Sequence, residues 1–195
     1  MRNMRGTSRL SGRKPLPLLL SALIPLLGAC TPWQQVTPPG GEFSVLMPEA
    51  GQCIPYQIAS AIGPLAGSLC DGSTSNVAFQ YEVFTASVFP LPKDTDLGAV
   101  SAEHLQEILR QVQKLGGRVL SESTSEFGGI TWTQVEATVT AQKEQLQMRD
   151  LSMVRPEGVF ELQVMASAAR FPDARARKFF SSFKLNVARG AVGPP

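Results

Sequence analysis

The chain has 195 residues, with 18 Lys and Arg against 16 Asp and Glu, and a formal net charge of +2. Five of the basic residues lie within residues 1–29, so the rest of the chain carries 13 basic and 16 acidic side chains, a net charge of −3. This acidic balance gives no support for nucleic-acid binding. The remaining length suits one domain with a single core.

The first 29 residues have the three parts of a secretory signal. Basic side chains come first, followed by an apolar stretch from Leu16 to Leu27 and by small residues before a cleavage site between Ala29 and Cys30. The apolar stretch has about a dozen residues, whereas a membrane-spanning helix needs roughly 20. Residues 1–29 are therefore predicted to be a cleaved signal peptide rather than a transmembrane helix.

The motif Leu27-Gly28-Ala29-Cys30 resembles the lipobox of bacterial lipoproteins, in which the cysteine thiol receives diacylglycerol. The resemblance implies that Cys30 becomes the acylated N-terminus and anchors the protein to a membrane of the cell envelope. Thr31, in place of an acidic residue, resembles lipoproteins sorted to the outer membrane and facing the periplasm in hosts with two membranes. An ordinary signal peptide is the alternative, because it needs no cysteine at the cleavage site.

Residues 30–41 are predicted to be a flexible tether before a folded domain at 42–185. The tether contains three prolines and two glycines, which disfavour regular structure, and Trp33 is its apolar anchor. Residues 186–195 are rich in Gly, Ala and Pro, and are predicted to form a disordered tail.

Cys53 and Cys70 form an even pair in an exported protein, where disulfides persist. Gly63 and Pro64 lie near the midpoint between them and indicate a turn, so the cysteines flank the bend of a hairpin at matching distances. A cross-strand disulfide is therefore predicted. A redox dithiol is the alternative, but the spacing differs from Cys-x-x-Cys and no neighbouring basic side chain would lower a thiol pKa.

Hydrophobic periodicity divides the domain into strands and two helices. Besides the cysteine hairpin, strands are predicted at residues 43–47, 77–89, 118–125, 130–140, 145–154 and 159–167, with 77–89 crossing the sheet centre. The first helix is predicted at 101–117, with Ser101 as N-cap and Gly116 as the C′ residue. The second begins near Pro172 and buries Ala176, Phe179, Phe180 and Phe183. The pattern predicts an α+β fold with a single antiparallel sheet packed by helices.

Four segments, taken in this order, resemble PsbP-like domains. They are Gly41 to Pro48, the helix end Lys114 to Gly117, the turn Phe127 to Gly129, and Phe179 to Leu185. PsbP-like domains are small α/β/α sandwiches, so the resemblance, which covers roughly residues 41–185, implies this fold. Plant and cyanobacterial members assist photosystem II, but no motif in this chain carries that function over.

Few residues offer catalytic or metal chemistry. His104 is the single histidine, and the helical pattern places it toward solvent beside Glu103 and Glu107. Without a second histidine, neither a transition-metal site nor a Ser-His-Asp arrangement is expected. Asp94 and Asp96 would suit a hard cation, but the other ligands of a calcium loop are missing. The sequence therefore predicts no metal, no cofactor and no catalytic residue.

A cluster of basic residues lies near the end of the domain, at Arg170, Arg175, Arg177 and Lys178. Arg175 and Lys178 can share a helix face and would suit anionic headgroups or an acidic partner. A solvated helix face is the alternative.

The predicted function is that of a non-catalytic, membrane-anchored binding, accessory or scaffold domain with a protein or small-molecule partner in the envelope. An enzyme with a carboxylate-based site is the competing prediction, using residues such as Glu82 or Asp150 that the sequence alone cannot bring together. A purely structural envelope component is the third.

Overall fold

The computed structural model describes residues 33–48, 51–58, 60, 62–72, 74–76, 80–141 and 144–186. The strands are β1 Gln34–Val36, β2 Phe43–Met47, β3 Gln52–Ile58, β4 Leu65–Asp71, β5 Thr74–Asn76, β6 Gln80–Phe89, β7 Arg118–Phe127, β8 Ile130–Ala141, β9 Glu144–Arg155, β10 Gly158–Ser167 and β11 Lys184–Leu185. The helices are α1 Leu97–Lys114 and α2 Asp173–Ser181. The predicted signal peptide, Cys30 and residues 187–195 of the predicted tail lie outside the described residues.

The large sheet has the order β3-β4-β6-β10-β9-β8-β7, with β5 paired to β6, and its pairings are antiparallel. This confirms the predicted α+β fold with an antiparallel sheet packed by helices. Where a single sheet was expected, the structure adds a second of order β1-β2-β11. The second sheet forms because the end of the domain returns to β2, where Lys184 pairs with Ser44 and Leu185 with Phe43.

The large sheet lies between two layers. Helix α1 packs on one face, while α2 and the small sheet cover the other. Side chains of alternate residues along a strand point to opposite faces, so β10 sends Phe160, Leu162 and Val164 toward α2 and the residues between them toward α1. The described residues thus form an α/β/α arrangement.

Aromatic packing fixes the layer that contains α2. Helix α2 buries Ala176, Phe179 and Phe180, as its periodicity predicts. Beyond the helix, Phe183 is also buried, and its ring contacts those of Phe43, Trp132 and Phe160 at centroid distances of 5.3, 5.0 and 6.1 Å. Phe183 therefore joins the small sheet to three rings of the core.

The segment predicted as a tether is partly structured. Gln34–Val36 pairs with β2, and Val36 is buried. The ring of Trp33 packs edge-on against Phe84 at 6.0 Å. The prediction of a flexible segment is therefore wrong for residues 34–36, because an available strand edge at β2 and an aromatic contact outweigh the prolines on either side.

Helix α1 begins earlier than predicted. Asp96, not Ser101, is the N-cap, and its Oδ1 accepts hydrogen bonds from the amides of Gly98 and Ala99 at 3.0 and 3.1 Å. Asp96, considered above as a cation ligand, is thus occupied in capping. The predicted C-terminus is confirmed, since Gly116 follows the C-cap with φ of 65°, which glycine adopts without strain.

Strand β6 lies in the interior of the sheet between β4 and β10, as predicted. Residues 77–79 of the predicted strand 77–89 lie outside the described residues. On one face of β6, Phe84, Ala86 and Val88 are each 0% exposed, and on the other Ser87 and Phe89 are also buried. Both faces of β6 are therefore covered.

The predicted disulfide is present. Cys53 on β3 and Cys70 on β4 are directly opposite each other in the strand register and are bonded. The turn between the strands is closed by Ser60 and Gly63, whose backbone groups hydrogen-bond to each other. The bridge thus locks the β3–β4 hairpin at the edge of the large sheet.

Replacing both Cys53 and Cys70 by alanine is expected to lower the free energy of unfolding by about 3 kcal/mol, because the bridge closes a loop with a sequence separation of 17. Urea denaturation of the wild-type and double-alanine proteins measures this difference. An unchanged midpoint and slope would contradict a stabilising role of the bridge.

Candidate functional site

Strand register gathers polar side chains on the face of the sheet that α1 covers. Glu161 on β10 lies directly between Ser87 on β6 and Ser152 on β9, and in the next row on this face Gln163 pairs with Asp150. Ser87, Asp150 and Ser152 are all buried. This polar band separates two apolar clusters, one around Ile108 and Val112 and the other around Phe89 and Val100.

Helix α1 brings His104 onto this band. The side chain of His104 is 10% exposed, and its Nε2 lies 3.4 Å from Oε2 of Glu161. The two atoms lack hydrogen-bond geometry, so Nε2 has no hydrogen-bond partner among the described residues. The prediction that His104 faces solvent is therefore wrong. Because α1 starts at Leu97, His104 continues the inward stripe of Val100 and Ile108.

Asp150 completes what we call the buried polar cluster: His104, Asp150, Glu161 and Gln163. Asp150 is 0% exposed, and its Oδ2 accepts a hydrogen bond from Nε2 of Gln163 at 3.1 Å. Burial raises the pKa of Asp150 well above its ordinary value, and the neighbouring carboxyl group of Glu161 raises it further, while the hydrogen bond from Gln163 lowers it. The surroundings of Asp150 therefore favour its protonated form.

Replacing Asp150 by asparagine is expected to change how stability depends on pH. The folded state holds the Asp150 proton more tightly than the unfolded state, whose pKa is 3.8, so this stabilisation is complete below that pH and is lost as pH rises through the raised pKa. Asparagine has a similar shape and stays neutral at every pH in this range. The free energy of unfolding of Asp150→Asn, relative to wild type, should therefore increase with pH.

Urea denaturation from about pH 4 to 8 measures this trend. Asp94→Asn, at an exposed position where φ is 62°, serves as the control because asparagine tolerates this conformation. A stability difference between Asp150→Asn and wild type that stays constant with pH would contradict the raised pKa.

A cleft of about 300 Å³ opens between α1 and the β3–β4 hairpin. The hairpin side carries the apolar side chains of Tyr56, Ile58 and Leu65, and β10 contributes Val159. The helix side presents Val100 and Ile108 together with five polar or charged side chains, and Glu161 lies between the two sides; the five are Glu103, His104, Glu107, Arg110 and Gln111. The hairpin wall of the cleft is therefore mainly apolar and the helix wall mainly charged, and the cleft reaches the buried polar cluster through His104 and Glu161. A separate hollow of about 490 Å³ adjoins His104 on the β8–β9 side.

The apolar wall of the cleft is exposed because the sheet extends beyond the helix. Ile54, Tyr56 and Ile58 point to the same face as α1, yet Ile54 is 51% and Tyr56 45% exposed. The Tyr56 ring packs against Phe89 at 6.2 Å. Gly67 on β4 lies opposite Tyr56. The backbones of β4 and β6 approach closely here, since a Cβ on Gly67 would lie 1.9 Å from the carbonyl oxygen of Val88. The disulfide and this close approach hold the apolar wall in place.

The remaining candidate residues lie away from the cleft. Arg175 forms a salt bridge with Glu82 and stacks over Phe84, and Lys178 Nζ lies 4.5 Å from the centre of the Trp33 ring. Arg170 and Arg177 are exposed. Two charges of the predicted patch thus contact the domain itself, and anion binding there stays a prediction.

The two carboxylates named for an enzyme do not meet. Glu82 belongs to the α2 face of the sheet and Asp150 to the α1 face. The carboxylate that does approach Asp150 is Glu161, which sequence analysis missed.

Among the described residues, no group of three or more His, Cys, Asp or Glu side chains is arranged to hold a metal ion. Within the described residues, neither α1 nor α2 is long and apolar enough to cross a membrane.

Comparisons with known proteins show the fold alone. No family model and no curated protein matches the chain, so the PsbP-like resemblance gains no family assignment. LpqN, involved in cell envelope biogenesis of Mycobacterium tuberculosis, is 18% identical with a TM-score of 0.50, over 79% of this chain and 90% of LpqN. A Bacteroides thetaiotaomicron protein is 12% identical with a TM-score of 0.50, over 78% of this chain and 48% of the Bacteroides protein. This chain therefore spans about half the length of the Bacteroides protein.

A Pseudomonas aeruginosa protein of unknown function is 12% identical with a TM-score of 0.43, over 62% of this chain and 88% of that protein. At such identities the similarity to LpqN and to the Bacteroides protein establishes a related α+β fold and leaves the function to be argued from the cleft.

Proposed function

We propose that the protein is a lipid-anchored, non-catalytic binding protein of the bacterial cell envelope that holds its partner in the cleft between α1 and the β3–β4 hairpin. The observation that carries the proposal is the apolar wall of this cleft. Tyr56 lines the cleft and, like the neighbouring Ile54 outside the cleft lining, lies on the α1 face of the sheet yet is about half exposed, on a hairpin locked by the Cys53–Cys70 disulfide. A rigid, exposed apolar surface beside polar groups is typical of a binding site.

The anchor and the location rest on the lipobox-like motif that ends at Cys30. Acylation of this cysteine would hold the domain at a membrane surface, facing the periplasm in a host with two membranes. The fold similarity to LpqN, a protein of cell envelope biogenesis, agrees with this location.

An enzyme with a carboxylate-based site is the second candidate, favoured by the contact between Asp150 and Glu161. Pairs of carboxyl groups whose pKa values are driven apart serve as acid and base in many enzymes. Asp150, however, is fully enclosed by α1 and the sheet, so only Glu161 and His104 of this cluster border the cleft. Binding partners recovered chemically unchanged from the protein would support the binding function, and conversion that is lost in Glu161→Gln would support the enzyme.

Amide hydrogen exchange tests the binding function. We compare the protein in membranes of its own host with the purified protein in detergent. Occupation of the cleft predicts slower exchange in membranes for residues 54–58 and 103–111. Strand β7, an exposed edge on the other side of the sheet, is the internal control and should exchange equally in both samples. Equal exchange of the cleft segments in both samples would contradict the proposal.

A further inference from the structure

The cleft carries an excess of negative charge. Glu103, Glu107 and Glu161 border it, whereas its one guanidinium, Arg110, already donates two hydrogen bonds to Glu107 at 3.0 and 2.8 Å. Arg110 forms an ion pair with Glu107, and the three carboxyl groups outnumber this guanidinium among the residues that line the cleft. An anionic ligand would therefore be repelled.

The inner end of the cleft has acceptors held in place. Glu161 is 23% exposed, so its carboxylate can be reached from the cleft, and its other contacts are with Asp150 below it and His104 beside it. The His104 side chain is nine-tenths buried, borders the cleft, and has a ring nitrogen, Nε2, with no hydrogen-bond partner among the described residues. With the ring proton on Nδ1, Nε2 is an acceptor. This nitrogen and a carboxylate oxygen of Glu161 are 3.4 Å apart. An ammonium group has three donors and can bind two such acceptors at once.

The opposite wall is apolar and aromatic. Tyr56 presents its ring on the hairpin, with Ile58 and Leu65 beside it. An aromatic face attracts cations, and aliphatic side chains favour a short alkyl chain. The volume of about 300 Å³ suits a small group of this kind.

We propose that the cleft selects an alkylammonium group, with the cation bound by Glu161 and His104 and the alkyl chain packed on Tyr56 and Ile58. The inference rests on the proposed binding function and names its ligand class. The group comes either from a free small amine or from a lysine side chain of a partner protein.

Isothermal titration calorimetry of the full-length protein in nonionic detergent tests the inference. The probes are pentylammonium, 1-pentanol and pentanoate, which share a chain length and differ in charge. Pentylammonium is expected to bind about tenfold more tightly than the other two. Nα-acetyl-lysine methylamide distinguishes the sources: tighter binding than pentylammonium supports a lysine side chain, and weaker binding supports a free amine.

Two variants locate the binding. Glu161→Gln can keep the contacts with Asp150 and His104 but lacks the charge, and should weaken pentylammonium binding about tenfold. Its matched control is Glu157→Gln, in the β9–β10 turn beside Arg155, which should have no effect. Tyr56→Ala, at a half-exposed position, should weaken binding, whereas Tyr56→Phe should retain it.

Equal affinity for the three probes, or equal losses in Glu161→Gln and Glu157→Gln, would overturn the ammonium proposal. If 1-pentanol binds as well as pentylammonium and the binding of both depends on Tyr56, the charge preference fails while the cleft remains a binding site. The binding function itself is judged separately, by hydrogen exchange in membranes.

Discussion

Replacing Phe183 by alanine is expected to lower the free energy of unfolding by about 3–5 kcal/mol, a large share of the roughly 5–15 kcal/mol typical of a domain. The Phe183 side chain is 3% exposed and contacts the rings of Phe43, Trp132 and Phe160. Its removal leaves a cavity where the small sheet, the end of α2 and the large sheet meet. Urea denaturation followed by tryptophan fluorescence measures the loss, and Trp132 reports it directly.

Phe183→Leu is the matched control, because leucine keeps much of the buried volume and should cost less than alanine. A stability loss below about 1 kcal/mol for Phe183→Ala would mean that the three ring contacts do not hold these layers together.

Replacing Cys30 by serine is expected to release the protein from the membrane. Serine offers no thiol for the diacylglycerol group, and each buried CH₂ of the missing acyl chains removes about 0.8 kcal/mol of membrane affinity. In detergent phase partition, the wild-type protein should enter the detergent phase and Cys30→Ser the aqueous phase.

The control is the variant in which both Cys53 and Cys70 are alanine. It loses two cysteines of the same chain but keeps the lipobox, so it should remain in the detergent phase. Recovery of Cys30→Ser in the detergent phase would show that the lipobox prediction is wrong.

Local patterns predicted much of the fold, because each depends on neighbouring residues. The period-two strands of the β7–β10 region, the Phe179 and Phe180 stripe of α2 and the turn between Cys53 and Cys70 all appear in the structure. The errors are local as well. Ser101 and Asp96 are both good N-caps, and hydrophobic periodicity from Leu105 onward could not show that α1 has an earlier turn.

The buried polar cluster needed information that no local pattern holds. The predicted strands 145–154 and 159–167 suggest a hairpin, but the residues that lie opposite each other depend on the turn between them. In the structure Gly158 pairs with Arg155, which places Asp150 opposite Gln163 and Ser152 opposite Glu161. His104 joins them only when α1 packs across the sheet, a contact between residues 57 positions apart in the chain. The exposed apolar wall of the cleft likewise depends on how far the helix covers the sheet, which the sequence does not state.

Site-specific photo-cross-linking in membranes of the native host tests the central claim most directly. A benzophenone amino acid replaces Gln111, which is exposed on the helix side of the cleft, or Ser123, which is exposed on β7 at the opposite edge of the sheet. The account predicts one discrete adduct from position 111, lost when Cys30 is serine, and none from position 123. Adducts of equal yield from both positions, or none from position 111, would contradict binding through the cleft.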